Sequence, residues 1–354
     1  MLLRALVLTL LCALTSGCYA IQAASGQWEV MRRSRPIEQV LANPATPAAT
    51  RRGLELTVAA RSFAETELGL PDSRSYRKYA DLGRPYVVWN VVATPEFSVE
   101  PRRWCFPVAG CVAYRGYFEE SAARAQALRL SIRGDDVSLG GVPTYSTLGH
   151  LPDPVFASML GWRDTRLVGT IFHELAHEQL YVPDDSEFNE AFASVVEEEG
   201  LRRWLAALGR ADELARFATE SQREAEFARL LRETRRRLER LYASALPDEQ
   251  MRVEKQREFG RLKFLYEQAR EKWGWGGSYD AFFRRAVNNA HLAAVATYRD
   301  CMPGLRHELE RLGSMRAFYE RAKALAKLPA RERRDAVCMN GDTPNFVRNG
   351  DTPN

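Results

Sequence analysis

The sequence predicts an α+β fold that is mostly helical, and three observations carry that prediction. Runs at 85–94, 111–118 and 136–145 are rich in β-branched and aromatic residues and read as strands of a small mixed sheet. Long segments with apolar residues at helical spacing follow from residue 165 onward. Pro183, Pro247 and the glycines of 274–277 interrupt those segments and set their lengths.

Residues 18–164 hold N-terminal helices and the small sheet. Residues 26–70 read as helical, with Arg51 to Leu68 the most regular stretch, ending near Gly69 and Pro71. After the first two strands, 119–133 is an alanine-rich helix, and Gly140-Gly141 marks a bulge or turn in the third strand. An extended peptide could add itself along this third strand if it forms a free edge. Residues 207–275 are charged and helical. Pro247 splits them into an antiparallel hairpin, read as a solvated arm or as a surface for a protein partner. A C-terminal helical lobe spans 276–330, with one helix over 279–298. The polar segment 331–354, in which NGDTPN occurs twice, reads as a disordered tail.

The most informative segment is 165–206. His173-Glu174-Leu175-Ala176-His177 is an H-E-x-x-H run on a predicted helix, whose i and i+4 residues share one face. Both imidazoles can therefore reach one Zn²⁺ ion, and Glu174 between them can act as a general base. Asp184 with Glu187 fits a capping box that starts a second helix after Pro183. That helix carries Glu190, which completes a His₂Glu set if the two helices fold back on each other. Glu187 and Glu197 compete for the same role. Glu187 is too close to the helix start and Glu197 lies two turns deeper. Tyr145 and Asn289 are candidates to line the substrate cleft, and Tyr298 to donate to an oxyanion. A buried structural tyrosine is the alternative for both aromatic residues.

Residues 1–17 read as an export signal: Arg4, an apolar run from Leu6 to Leu14, then Thr15-Ser16-Gly17. Cys18 follows, as in a lipobox whose cysteine is acylated, although Thr15 stands where leucine is usual. Simple secretion is the other reading. Of the six cysteines, Cys105, Cys111, Cys301 and Cys338 remain after Cys12 and Cys18. An even number in an exported chain favours disulfides: Cys105–Cys111 as a local clamp and Cys301–Cys338 by elimination, with four buried thiols as the alternative. A net charge of +4 over 354 residues does not point to nucleic acid.

The string from Phe172 to Gly200, with segments at 22–30, 104–118, 145–156 and 288–298, resembles the bacterial family of predicted zinc aminopeptidases, a gluzincin-type group of lipoproteins. The resemblance implies a zincin-like metallopeptidase core and zinc-dependent hydrolysis of peptides. It makes His173, His177 and Glu190 the ligands and Glu174 the base. The chain has no G-x-M-E-N run, the segment with which better-known gluzincin aminopeptidases grip the substrate amine. The implied location is the bacterial cell envelope, anchored through Cys18. Tyr19 in place of aspartate points to the outer membrane, facing the periplasm. The rival reading is an envelope scaffold with a structural or degenerate zinc site. A third is a zinc hydrolase of non-peptide amides.

Overall fold

A computed structural model describes residues 19–106, 110–147, 150–274, 279–296 and 301–338. Helix α1 (19–33) leads into a short strand β1 (Ser34–Pro36), α2 (Ile37–Ala42) and α3 (Ala48–Thr66). The helix expected over 26–70 is thus interrupted, by β1 and by the Asn43–Pro47 turn. Strands β2 (Lys78–Ala80), β3 (Val88–Thr94), β4 (Trp104–Phe106), β5 (Gly110–Val112) and β6 (Arg115–Tyr117) precede α4 (Glu120–Ile132). Strands β7 (Asp136–Val142) and β8 (Val155–Phe156), with a 3₁₀ turn at Ala157–Met159, lead to the helical half.

The strands form three small sheets where the sequence pattern suggested one. One has the order β1-β2-β8, with β2 and β8 parallel. The second has the order β6-β3-β7 and is antiparallel. The third is the two-stranded β4-β5 hairpin. The run at 111–118 divides because Cys111 pairs back to Cys105, while Arg115–Tyr117 pairs to β3.

The helical half is α5 (Asp164–Gln179), α6 (Ser186–Ala207), α7 (Ala211–Tyr242), α8 (Asp248–Lys272), α9 (Asp280–Phe283), α10 (Asn289–Ala296), α11 (Met302–Leu312), α12 (Met315–Ala326) and α13 (Ala330–Val337). The helix expected over 279–298 is two pieces, α9 and α10, separated by 284–288. The largest apolar cluster joins α3, α5, α6, α11 and α12 around Leu54, Phe172, Phe192 and Phe318. The α7–α8 hairpin is not a bare solvated arm. Phe227, Leu231, Leu262, Tyr266 and Trp273 form its own core, joined by Leu292 of α10. Lys255 of α8, 5% exposed, lies 2.7 Å from Asp136 of β7. Arg235 pairs with Glu100 and Glu239, and Arg237 with Glu258, all within the chain.

The segment expected to be a disordered tail from 331 folds as α13 as far as Val337. Its polar composition hides its role: Arg333 is buried on Asp185, and Cys338 is bonded to Cys301. The second disulfide, Cys105–Cys111, closes the β4-β5 hairpin. Among the described residues no helix is long and apolar enough to cross a membrane.

Candidate metal centre

Helix α5 buries Leu167, Val168, Ile171, Phe172, Leu175 and Ala176 and leaves His173 and His177 on an adjoining face, one turn apart. The chain then turns through 180–185 and returns as α6. Asn189, 1% exposed, holds that turn by accepting from Val182 N–H (2.8 Å) and donating to Val182 C=O (2.7 Å). The helix begins one residue later than the capping box predicts. Asp185 is the N-cap, accepting from Phe188 N–H at 3.1 Å. Asp184 has a left-handed φ of 63° and instead accepts from Cys111 N–H at 3.0 Å.

The two helices approach closely because two glycines permit it. A Cβ on Gly169 would lie 2.8 Å from Glu197 Oε1, and one on Gly200 would lie 2.7 Å from the Phe172 ring. This approach carries Glu190 to the histidine pair. His173 Nε2 is 3.2 Å from Glu190 Oε2 and 3.2 Å from His177 Nε2, and His177 Nε2 is 3.6 Å from Glu190 Oε1. One ligand atom from each of the three residues falls within 4.8 Å of the others.

Two imidazole nitrogens facing each other at 3.2 Å need a shared proton or a cation between them, since two lone pairs repel. The pKa shifts point the same way. Burial opposes a charged His173, yet its hydrogen bonds to Glu190 and Glu197 outweigh burial and carry the ring well above the ordinary imidazole value. Burial likewise opposes a charged Glu190, but the two histidines hold its carboxyl down to about 2. The site thus stabilises positive charge at the point where the three groups meet. Two imidazoles and one carboxylate are a donor set that fits a divalent ion such as zinc, with room in the coordination for a water.

Glu197, weighed in the sequence as a rival ligand, has a different place. Its Oε2 is 3.0 Å from His173 Nδ1, on the far side of the ring from the cluster. It fixes the tautomer that presents Nε2. Its spacing of seven residues from Glu190, two turns on the same face, was the available signal. Among the described residues, the buried His177 Nδ1 has no hydrogen-bond partner.

Tyr114 was missed altogether. The Cys105–Cys111 hairpin rests on the α5–α6 turn through the Cys111–Asp184 hydrogen bond, and Tyr114 follows it by three residues. The residue is 40% exposed, yet desolvation of its hydroxyl, followed by the fields of Glu190 and Glu174, pushes its pKa up to about 12. The charges of both carboxylates thus disfavour its phenolate form. Tyr181 also borders the cluster, its ring edge-on to His177 at 6.5 Å. Asp153, 3% exposed, is pushed up to about 6 chiefly by burial, partly offset by hydrogen bonds from Thr147 and Ser146 and helped by Glu174.

Other candidates lie elsewhere. Asn289 is a correction: it is fully buried, its amide donates to Glu96 C=O at 2.9 Å, and it accepts from Tyr242 at 2.9 Å, which ties α10 to α7. Tyr145 is also taken up by structure, donating to Gln27 at 2.9 Å and packing edge-on against Phe118. His291 hydrogen-bonds Asn288 at 2.7 Å, away from the cluster. Cys18 and Tyr298 lie outside the described residues.

Comparison with the curated proteins and with the solved structures finds no match. A family model described as "Putative aminopeptidase" matches residues 18–337, which takes in every helix and strand on which the cluster depends. With its paired histidines, an intervening glutamate and a returning acid inside that match, the chain belongs to this aminopeptidase family.

Proposed function

We propose that the protein is a zinc-dependent metallopeptidase of the bacterial cell envelope that acts as an aminopeptidase. The observation that carries this reading is the convergence of His173 Nε2, His177 Nε2 and the Glu190 carboxylate within 4.8 Å, with Glu174 adjoining His173. Among the described residues this cluster has three members, where a structural zinc takes four protein ligands. When bound, Zn²⁺ would polarise the scissile carbonyl and acidify the attacking water. Glu174 takes the proton of that water and returns it to the leaving amine. Tyr114, which follows the hairpin seated on Asp184 and senses the charges of Glu190 and Glu174, is the candidate donor to the oxygen on which negative charge develops. Glu197, 3.0 Å from His173 Nδ1, would hold that ring with Nε2 available to the ion.

Export and anchoring belong to the same reading. The apolar run before Cys18 supports acylation of that residue and attachment at the outer membrane, facing the periplasm. Two disulfides, Cys105–Cys111 and Cys301–Cys338, fit an oxidising compartment.

The deciding experiment compares wild type with Glu174→Gln on peptides with free and with blocked amino termini. Loss of cleavage with zinc content retained supports the mechanism. Undiminished cleavage by Glu174→Gln ends it, and equal rates on free and blocked peptides remove the exopeptidase assignment alone.

A further inference from the structure

A basic cleft borders the β4-β5 hairpin at Trp104 and has none of the candidate metal ligands in its lining. Its volume is about 440 Å³, and it is lined by Arg102, Arg103, Arg115, Arg133, Trp104 and Asp135 among others. Four guanidiniums thus face one carboxylate. That carboxylate is already spent, because both Asp135 oxygens accept from Arg102, at 2.6 and 2.7 Å. Arg103 donates to Cys111 C=O at 3.0 Å and comes no closer than 4.0 Å to Asp184.

Arg115 and Arg133 have no carboxylate partner among the described residues. The Arg115 guanidinium is instead stacked 4.0 Å over the Tyr19 ring and 5.7 Å from Tyr117, and its buried Nε has no hydrogen-bond partner among the described residues. A guanidinium without a carboxylate partner can offer its remaining N–H donors to an anion. Trp104 and Leu130 supply an apolar wall to the same cleft.

The position of the cleft narrows the choice of anion. Tyr19, on which Arg115 stacks, directly follows Cys18 and donates to Gly116 C=O at 3.1 Å. A chain anchored at Cys18 would hold this cleft at the bilayer surface, since neighbouring Cα atoms are about 3.8 Å apart. Arginine forks match phosphate oxygens, and a tryptophan beside them suits the boundary between headgroups and acyl chains.

We propose that this arginine cleft binds the phosphodiester headgroup of an anionic phospholipid beside the anchored N-terminus. The inference rests on the reading of Cys18 as the anchor. It orients the enzyme on the membrane: the headgroup binds beside the β4-β5 hairpin, and that hairpin rests on the turn between the two metal helices.

The test is calorimetric titration of the full chain in nonionic detergent with dihexanoylphosphatidylglycerol, dihexanoylphosphatidylcholine and glycerol phosphate. The expected result is saturable binding of the anionic lipid that weakens with added salt and is at least about tenfold tighter than that of the zwitterionic lipid. Arg133→Glu, an exposed substitution, should weaken it about tenfold with the thermal midpoint unchanged, and Arg115→Gln should act in the same direction. Equal binding of the two lipids, or no loss in both variants, overturns the proposal. Glycerol phosphate binding as tightly as the anionic lipid overturns the lipid source and leaves a soluble phosphate site. The mass of the N-terminal peptide reports acylation of Cys18 separately, so a failed anchor and a failed cleft are told apart.

Discussion

Arg333 of α13 and Asp185 at the start of α6 form one clamp. The guanidinium meets Asp185 Oδ2 at 2.6 Å through Nη2, while Asp185 Oδ1 accepts the Phe188 N–H at 3.1 Å. Arg334 adds a pair to Glu187, and the Cys301–Cys338 disulfide holds the end of α13 against α11. The last described helix thus fastens the first turn of the helix that carries Glu190.

Removing the clamp should therefore loosen both the fold and the metal site. Arg333→Met leaves a partly buried carboxylate without its cation, and we expect a loss of about 2 kcal/mol in urea unfolding. Asp185→Ala also removes the cap, at a further cost of about 1 kcal/mol. Unchanged unfolding midpoints for both variants would show that the clamp is idle.

Glu197 should matter to the ion without touching it. Glu197→Leu frees His173 to flip or to present the wrong nitrogen, and zinc affinity should fall by about 10- to 100-fold in a chelator competition assay. Glu197→Gln, which can still accept from Nδ1–H, should retain most of it. Equal affinity in wild type and Glu197→Leu would remove the residue from the site.

Tyr114→Phe should lower kcat by about a hundredfold while leaving KM and zinc content nearly unchanged, the pattern of a donor used only in the transition state. Opening the hairpin by Cys105→Ser with Cys111→Ser should also lower kcat, because the hairpin that leads into Tyr114 loses its seat on Asp184. A kcat for Tyr114→Phe equal to wild type would return the oxyanion role to another group.

Acid should destabilise the α10 region through His291. Burial, then the charge of Arg285, lowers its pKa to about 4. Its folded value lies below the unfolded one, so the native state binds fewer protons between the two. The stabilising contribution is full above the unfolded value and is lost as pH falls toward the folded one. Between about pH 7 and about pH 5, wild type should lose about 2 kcal/mol more than His291→Gln in denaturant titrations. Parallel pH profiles for the two proteins would refute this.

Much of the site is legible in the sequence because its spacing is helical. His173 and His177 must share a face of any helix they occupy, and Pro183 forces a turn short enough for Glu190 to return. Glu197 was visible by the same arithmetic, but periodicity cannot say which nitrogen of His173 an acid will meet. Tyr114 was invisible, since nothing local links residue 114 to residue 190. The disulfide-closed hairpin seated on Asp184 decides where the chain at residue 114 lies. Asn289 failed in the opposite direction. Its polarity reads as function, whereas burial assigns it to joining α10 with α7.

The sequence by itself determined the elements whose order is local: the helix of the histidine pair, the returning helix, the hairpin broken at Pro247 and the strand at Val88–Thr94. Tertiary structure alone decided that the strands split into three sheets, that the polar segment after Ala330 becomes a buried clamp, and that four arginines gather in one cleft. The physical reason is range. Backbone propensity and side-chain periodicity act over a few residues, whereas desolvation and charge pairing depend on which distant segments the core brings together.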